Sequence, residues 1–358
     1  MAENSNIEWT DHTFNPWMGC QKVSPACDHC YAEVSTPART MKVGWGSGVP
    51  RHRTAPSTWG MPKRWNDNHE AFMAEHGRRQ RVFALSLGDW LDNEVPISWF
   101  VDMLEVIRTT PNLDWLLLTK RIGNWRKRME AAQQYLARGH QEGVGPLRDW
   151  IAAWLNGTPP HNVWVGATIP NQPEADRDIP KLLQVPAAKR FLSMEPLLGP
   201  VKLQRFCACG CNKTLEQAVD EAMDGPSALN QFQARAAIKT TLGVDWVIVG
   251  GESGPSARPM HPDWARSLRD QCQAAGVPFL FKQWGEWAEI EGDYQLSPDE
   301  AETEGYDPKT DCVLTPDGKV FAHPNDLPAD VLGRWMTKLG KKAAGRLLDG
   351  RTWDEVPE

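Results

Sequence analysis

Cys20, Cys27 and Cys30 fall within eleven residues, in the segment Gly19-Cys20-Gln21-Lys22-Val23-Ser24-Pro25-Ala26-Cys27-Asp28-His29-Cys30-Tyr31. Three thiolates so close along the chain can converge on one soft metal centre. A tetrahedral zinc site asks for a fourth protein ligand, and His29, lying between two of the cysteines, is poorly placed to supply it. A cubane iron–sulfur cluster held by three cysteines keeps one iron open, which is a catalytic arrangement rather than a structural one. A structural zinc knuckle with a distant fourth ligand is the alternative. A second group, Cys207-Ala208-Cys209-Gly210-Cys211, would spread its thiols along an extended strand, so three ligands at this spacing converge only by way of a tight turn, which Gly210 can provide. Zinc, an auxiliary iron–sulfur cluster and unpaired thiols all stay open there. Cys272 shares a helical stripe with Trp264, Leu268 and Ala275 and reads as core, while Cys312 takes no assignment.

The elements that must position these groups follow from apolar runs of strand length: 82–85, 115–118, 163–166, 190–192, 246–249 and 279–281, after a first strand from Thr13 to Trp17. Runs apolar throughout fit strands buried on both faces of a parallel sheet. Helical spacing recurs between them at about 97–109, 122–138, 173–184 and 262–275, with Asn171-Gln172-Pro173 and His261-Pro262-Asp263 as starts. The repeat is α/β, either an open doubly wound sheet or a full or partial (β/α) TIM-like barrel, and in both the chemistry lies beyond the carboxyl ends of the strands. Those ends carry Ser86-Leu87-Gly88-Asp89, Thr119-Lys120-Arg121, Ala167-Thr168, Ser193-Met194-Glu195-Pro196, Gly250-Gly251-Glu252-Ser253-Gly254 and Lys282-Gln283-Trp284. Size favours a barrel over residues 1–290, interrupted by a cysteine-containing insertion at 204–243 and followed by a C-terminal extension at 291–358 whose acidic first part reads as a solvated excursion.

Composition sets the outer limits. The chain has 358 residues, 41% hydrophobic and 24% charged, with a formal net charge of −7, which excludes a disordered chain and a protein that holds nucleic acid by its overall field. No apolar run is long enough to span a membrane and the first residues lack a secretory layout, so a cytoplasmic location and no membrane partner are expected. Eight cysteines in that compartment then call for something other than disulfides. Among the 18 tryptophans, Trp17, Trp115, Trp164 and Trp246 read as strand packing, and Trp150 and Trp154 share one helical face. Trp45, Trp59, Trp65, Trp90, Trp125, Trp284 and Trp287 fall in loops, at strand ends or beside charges, several of them next to Lys63-Arg64 or Arg126-Lys127-Arg128. Aromatics interleaved with cations suit stacking on nucleic-acid bases; ordinary core tryptophans beside a solvated basic helix are the competing reading.

The three-cysteine loop after the first strand, joined to a parallel β/α repeat, resembles the radical S-adenosylmethionine superfamily. The phrases Ile7-Glu8-Trp9-Thr10, Asn15-Pro16-Trp17-Met18-Gly19-Cys20, Leu118-Thr119-Lys120-Arg121, Ser193-Met194-Glu195-Pro196, Trp246-Val247-Ile248-Val249-Gly250-Gly251-Glu252-Ser253-Gly254 and Phe281-Lys282-Gln283-Trp284-Gly285 resemble more closely a phage-associated three-cysteine-motif family of unassigned function, over residues 5–290. One departure stands out: six residues separate Cys20 from Cys27, more than in the superfamily's usual motif. The resemblance implies a [4Fe–4S] cluster on Cys20, Cys27 and Cys30, with S-adenosylmethionine chelating the fourth iron. It places His29 near the adenine, Ser86, Gly88 and Asp89 at the cofactor's amino group, Thr168 and Asn171 at the ribose, and Ser193, Glu195 and Glu252 at its carboxylate, ribose or the substrate. Lys120, Glu195, Glu252 and Lys282 are then the candidate catalytic side chains.

The expected activity is that of a radical enzyme needing an electron-donating reductant. Its expected substrate is a nucleobase or modified-base side chain, in DNA rather than RNA, because a phage-like resemblance implies modification of phage DNA in a bacterial host's cytoplasm. Enzymes of this kind must reach their base unstacked or flipped out. A radical enzyme acting on tRNA, a peptide or a small molecule, and a non-catalytic zinc- or nucleic-acid-binding accessory protein, are the alternatives.

Overall fold

The computed structural model describes residues 3–138, 145–207, 214–224, 240–289, 295–296, 306–328 and 331–358. The main sheet has seven strands: β1 (His12–Phe14), β2 (Gln80–Ala84), β3 (Leu113–Thr119), β4 (Val163–Thr168), β5 (Lys189–Met194), β6 (Trp246–Gly250) and β7 (Phe279–Gln283). Their order across the sheet is their order in the chain. Successive pairings are parallel, with Phe14 opposite Ala84, Ala84 opposite Leu117, Leu117 opposite Val165 and Val165 opposite Arg190. A doubly wound sheet reverses its strand order at a switch point; a sheet that adds each strand on the same side follows the order of a partial (β/α) barrel. The two end strands are not neighbours, so barrel closure is not found among the described residues.

The strands lie where apolar runs place them because nearly every residue in them is buried, six of six in β4 and five of five in β6. Helices α1 (Ile97–Arg108), α2 (Trp125–Arg138), α3 (Gly145–Leu155), α4 (Gln172–Leu183) and α5 (Pro262–Ala275) fill the connections. In α2 the buried residues Trp125, Met129, Ala132 and Leu136 recur at helical spacing, the stripe that a surface helix turns to the core. α5 begins at His261, whose Nδ1 accepts from the Asp263 N–H, and ends at Gly276 in the left-handed conformation.

The chain divides into two compact units, residues 1–169 with 176–193 and residues 170–175 with 194–358. In the first, β1 stops at Phe14 instead of running to Trp17. Pro16 has no N–H to extend the ladder, and Trp17–Met18 turns away to pair antiparallel with His52–Arg53. Between β1 and β2 lie the cysteine loop and four short helices that the apolar runs do not announce.

In the second unit, the two-residue strands Phe206–Cys207 and Thr240–Thr241 pair antiparallel within the insertion, which also holds a helix at Leu215–Asp224. The acidic stretch is not wholly a solvated excursion. Asp311–Leu314 is a strand with all four residues buried, lying in a five-stranded antiparallel sheet with β-strands Trp287–Glu289, Gln295–Leu296, Val320–Phe321 and Gly333–Lys338. Val313, Leu327 and Trp335 form its core. Cys272 is fully buried in α5, as its stripe requires, and Cys312 is buried in the Asp311–Leu314 strand.

The tryptophans are mostly structural. Trp17, Trp115, Trp154 and Trp246 are fully buried. Of the seven offered for base stacking, Trp65, Trp90, Trp125 and Trp284 are buried as well, so the stacking role does not hold for these four. Trp65 stacks on His12 at 4.3 Å, and Trp90 lies parallel to Trp154 at 6.4 Å. A short loop beside a charged residue can still fold inward, because the burial of a large ring outweighs the polarity of its sequence neighbours.

Candidate functional site

Cys20, Cys27 and Cys30 are all free thiols on the loop that follows β1. Cys27 ends a single helical turn, Pro25–Cys27, capped by Ser24, whose hydroxyl accepts from the Ala26 N–H at 3.1 Å. Cys30 packs against the cluster of Met18, Ala32 and Leu87. Four hydrogen bonds tie the surrounding segment to the residues after β2. The Gly19 N–H donates to the Leu87 carbonyl at 3.0 Å, the Tyr31 hydroxyl donates to the Ser86 carbonyl at 2.9 Å, and Asn15, which is 1% exposed, donates to Ser86 Oγ at 3.0 Å. Asn15 Oδ1 also accepts from the Leu87 N–H at 2.8 Å. His29 is exposed.

The Ser86–Asp89 loop opens with a strained residue. Leu85 has φ +67°, in the left-handed region that a bulky side chain occupies rarely and at a cost of order 1 kcal/mol. Gly88 has no room for a side chain without displacement, since a Cβ there would stand 3.2 Å from Leu85 Cδ2 and 3.4 Å from Trp17 Cδ1. Asp89 is saturated: Oδ1 accepts from the Leu91 N–H (2.9 Å) and the Thr119 hydroxyl (2.7 Å), and Oδ2 from the Lys120 N–H (3.0 Å) and Arg121 Nη1 (2.9 Å). A carboxylate has about four acceptor sites, so Asp89 is a fastener between the ends of β2 and β3 rather than an open acid for a cofactor's ammonium.

Arg121 is a site residue that the sequence alone does not single out. Its backbone N–H donates to Thr119 Oγ1 at 2.9 Å, its Nη1 to Asp89, and its Nη2 to the Gln21 carbonyl at 2.6 Å and toward Cys20 Sγ at 3.9 Å. One buried guanidinium thus joins the cysteine loop to the ends of β2 and β3. Charge dipeptides are common, and nothing in Lys120-Arg121 says which of the two turns inward. Burial and the nearby Asp89 push the Cys20 thiol up to about 12 in the metal-free protein, and the Arg121 cation opposes them.

Thr168 and Ser193, opposite each other at the ends of β4 and β5, are 1% and 3% exposed, and Thr168 Oγ1 has no hydrogen-bond partner among the described residues. In the second unit, Asn171 caps α4, its Oδ1 accepting from the Glu174 N–H at 3.1 Å. Lys282 Nζ lies 2.7 and 2.9 Å from the two carboxylate oxygens of Glu195, and Gln283 Nε2 donates both to Glu195 Oε1 at 3.1 Å and to Ser253 Oγ at 2.9 Å. Glu252 is engaged by Arg258, whose Nη2 and Nε reach it at 2.6 and 2.9 Å. Gly250, Gly251 and Gly285 make this possible by their missing side chains. A Cβ on Gly250 would stand 3.3 Å from Glu195 Cγ, and one on Gly251 would fall 1.8 Å from the Trp284 carbonyl oxygen. The structure therefore brings Glu195 and Lys282 together as an ion pair, and separately pairs Glu252 with Arg258.

Among the described residues, no three His, Cys, Asp or Glu side chains are gathered closely enough to hold a metal ion. The cysteine loop fits an iron–sulfur cluster in donor chemistry, with three free thiols and no disulfide, while the thiols are not drawn together as a ligand set. Cys209 and Cys211 lie outside the described residues, as does the side chain of Cys207.

The model of a family described as a protein of unknown function, DUF5131, matches residues 4–357, and the chain belongs to that family. No curated protein and no solved structure shows significant similarity to the chain.

Proposed function

We propose that this chain is a radical S-adenosylmethionine enzyme whose cluster is held by Cys20, Cys27 and Cys30. One observation carries the reading: three free thiols sit on the loop after the first strand of a sequentially ordered parallel sheet, fastened through Asn15, Tyr31 and Arg121 to the carboxyl ends of the next two strands. When bound, a [4Fe–4S] cluster supplies the electron that cleaves S-adenosylmethionine to a 5′-deoxyadenosyl radical for hydrogen abstraction.

The chain's own residues supply positioning. Arg121 holds Gln21 and the end of β3 in fixed relation, so the loop cannot swing freely when its thiols exchange protons for metal. Thr168 Oγ1, buried without a partner among the described residues, is the atom best suited to a ligand hydroxyl. Lys282 Nζ and Glu195 Oε1, at 2.7 Å, form the pair proposed to hold and move a proton at the substrate. A nucleobase or modified-base side chain in DNA remains the proposed substrate. It is supported now by the exposed cations Lys63, Arg64, Arg126 and Lys127 rather than by buried tryptophans. Zinc or an auxiliary cluster is proposed for Cys207, Cys209 and Cys211.

The test is anaerobic reconstitution with iron and sulfide, followed by S-adenosylmethionine and dithionite. A brown protein that forms 5′-deoxyadenosine supports the reading. Colourless protein with stoichiometric zinc on Cys20, Cys27 and Cys30, and no cleavage, overturns it in favour of a zinc-binding accessory protein.

A further inference from the structure

A cleft of about 290 Å³ opens in the first unit between the cysteine loop, the end of β3 and one face of α4. Gln21 and Val23 line it from the loop, Lys120 and Arg121 from the strand end, and Asp178 and Lys181 from the helix. Its charge is unbalanced in a chain of net charge −7. Arg121 is neutralised by Asp89, both side chains being 6% exposed. Asp178, 7% exposed, pairs with Lys181 at 2.9 Å and with Arg177 at 2.6 Å. Lys120 is half-buried at the cleft wall, and its ammonium has neither an ion-pair nor a hydrogen-bond partner among the described residues. Gly123, beside it, carries no side chain, and the space that a Cβ would enter is bounded by Lys181 Cδ at 3.5 Å. Lysines from two separate elements therefore line one small polar cleft.

We propose that this cleft binds a phosphoryl group of the substrate, with Lys120 and Lys181 as its cationic contacts. A phosphate dianion suits the site better than a carboxylate because it presents three terminal oxygens to two independent ammonium groups, one of them, Lys120, without a partner among the described residues. At this volume the cleft holds a phosphate with at most a nucleotide-sized attachment, the remainder of a longer chain lying outside. The group can belong to a free mononucleotide, as the dianion, or to the backbone of a polynucleotide, whose phosphodiester presents two terminal oxygens and one negative charge to the same two ammonium groups. The inference rests on the proposed function only in identifying the ligand with the substrate; the binding itself needs neither cluster nor cleavage.

The experiment uses the full chain without added metal. Titration calorimetry follows a deoxynucleoside, its 5′-monophosphate and a short single-stranded oligonucleotide, with the Lys120→Gln, Lys181→Gln and, as an exposed control outside the cleft, Lys309→Gln variants. The monophosphate is expected to bind at least about tenfold more tightly than the nucleoside, and each cleft variant to weaken it by about tenfold while Lys309→Gln changes it less than twofold. If the oligonucleotide responds to the same two variants, the phosphate is a backbone phosphate; if only the monophosphate does, it belongs to a small ligand. Thermal melts confirm that the variants fold, and a cleft variant that does not is replaced by Lys120→Met or Lys181→Met. Equal binding of nucleoside and monophosphate overturns the proposal, as does equal loss with the control. Stoichiometric displacement of the monophosphate by S-adenosylmethionine also overturns it, by assigning the cleft to that cofactor's carboxylate. Because no cleavage is read, loss of radical activity leaves these outcomes unaffected, and failure of phosphate binding leaves the cluster assignment standing.

Discussion

Arg121 Nη1 stands 2.9 Å from Asp89 Oδ2 with both side chains 6% exposed, and the other arm of the same guanidinium reaches the Gln21 carbonyl at 2.6 Å. This ion pair is one of the joints between the cysteine loop and the sheet. Removing one partner of a buried pair strands the other charge. Arg121→Met is therefore expected to destabilise the protein by about 3 kcal/mol, the lower end of the range for a broken buried pair, because Asp89 keeps three other donors. Urea unfolding measures the loss, and faster alkylation of Cys20 in the native variant shows that the loop has been released.

On the proposed function the cysteines divide by role. Cys20→Ala, Cys27→Ala and Cys30→Ala are each expected to bring iron content and 5′-deoxyadenosine formation to background, while Cys272→Ala, a change within the core of α5, leaves both near the wild-type level. Iron and sulfide analysis beside a cleavage assay separates loss of cluster from loss of turnover. Cleavage surviving in any of the first three would remove that residue from the ligand set.

Stability should be greatest between about pH 6.5 and pH 9. On the acid side, burial lowers the His261 imidazole from 6.5 to about 4. The unfolded chain then binds a proton that the native chain refuses, so stability is full above 6.5 and is lost as pH falls toward 4. On the alkaline side, burial pushes the Cys272 and Cys312 thiols from 9.0 up to about 12. The native chain keeps protons that the unfolded chain releases, and stability falls between those values by about 1.4 kcal/mol per pH unit for each thiol at most. Unfolding free energies from pH 4 to pH 11 test both limbs, and Cys272→Ala should flatten the alkaline one.

Gly251→Ala should cost more than about 3 kcal/mol, at the upper end of overpacking effects, because its Cβ would fall 1.8 Å from the Trp284 carbonyl oxygen, which belongs to backbone and not to a movable side chain. Gly254→Ala, a few residues along the same loop, meets no atom within 4 Å and pays only for its φ of +110°. Comparing the two melting temperatures distinguishes a close backbone crossing from a general need for glycine in the loop.

Trp65→Ala is expected to lower stability by about 3–5 kcal/mol through the cavity it leaves beside His12, with no specific loss of oligonucleotide binding in the folded variant. A selective loss of binding with unchanged stability would return this ring to a nucleic-acid groove.

Much of the fold could be read along the chain because it depends on periodicity. A run such as Trp246-Val247-Ile248-Val249 has no polar face, so a strand buried on both sides is the economical outcome, and α5 begins and ends at residues whose backbone preferences mark its limits. The limit of β1 was harder, since Trp17 is as apolar as Phe14 and only the missing N–H of Pro16 hints that the ladder stops. The strand Asp311–Leu314 was hidden by acidic neighbours, because average polarity over a long stretch hides a four-residue buried segment.

The amino-acid sequence by itself determined the α/β class, the parallel strands, the gathering of polar residues at their carboxyl ends and the presence of three cysteines on one loop, all of which are local in the chain. Tertiary structure decided the strand order that follows a partial barrel, because order depends on which strands meet. It also turned Trp65, Trp90, Trp125 and Trp284 into core, and it matched Lys282 to Glu195 across 87 positions and Arg121 to Asp89 across 32. A charged residue states in sequence only that it needs a partner or water. Which one it receives is settled when strands far apart in the chain end side by side, where a buried charge without a partner would be too costly to keep.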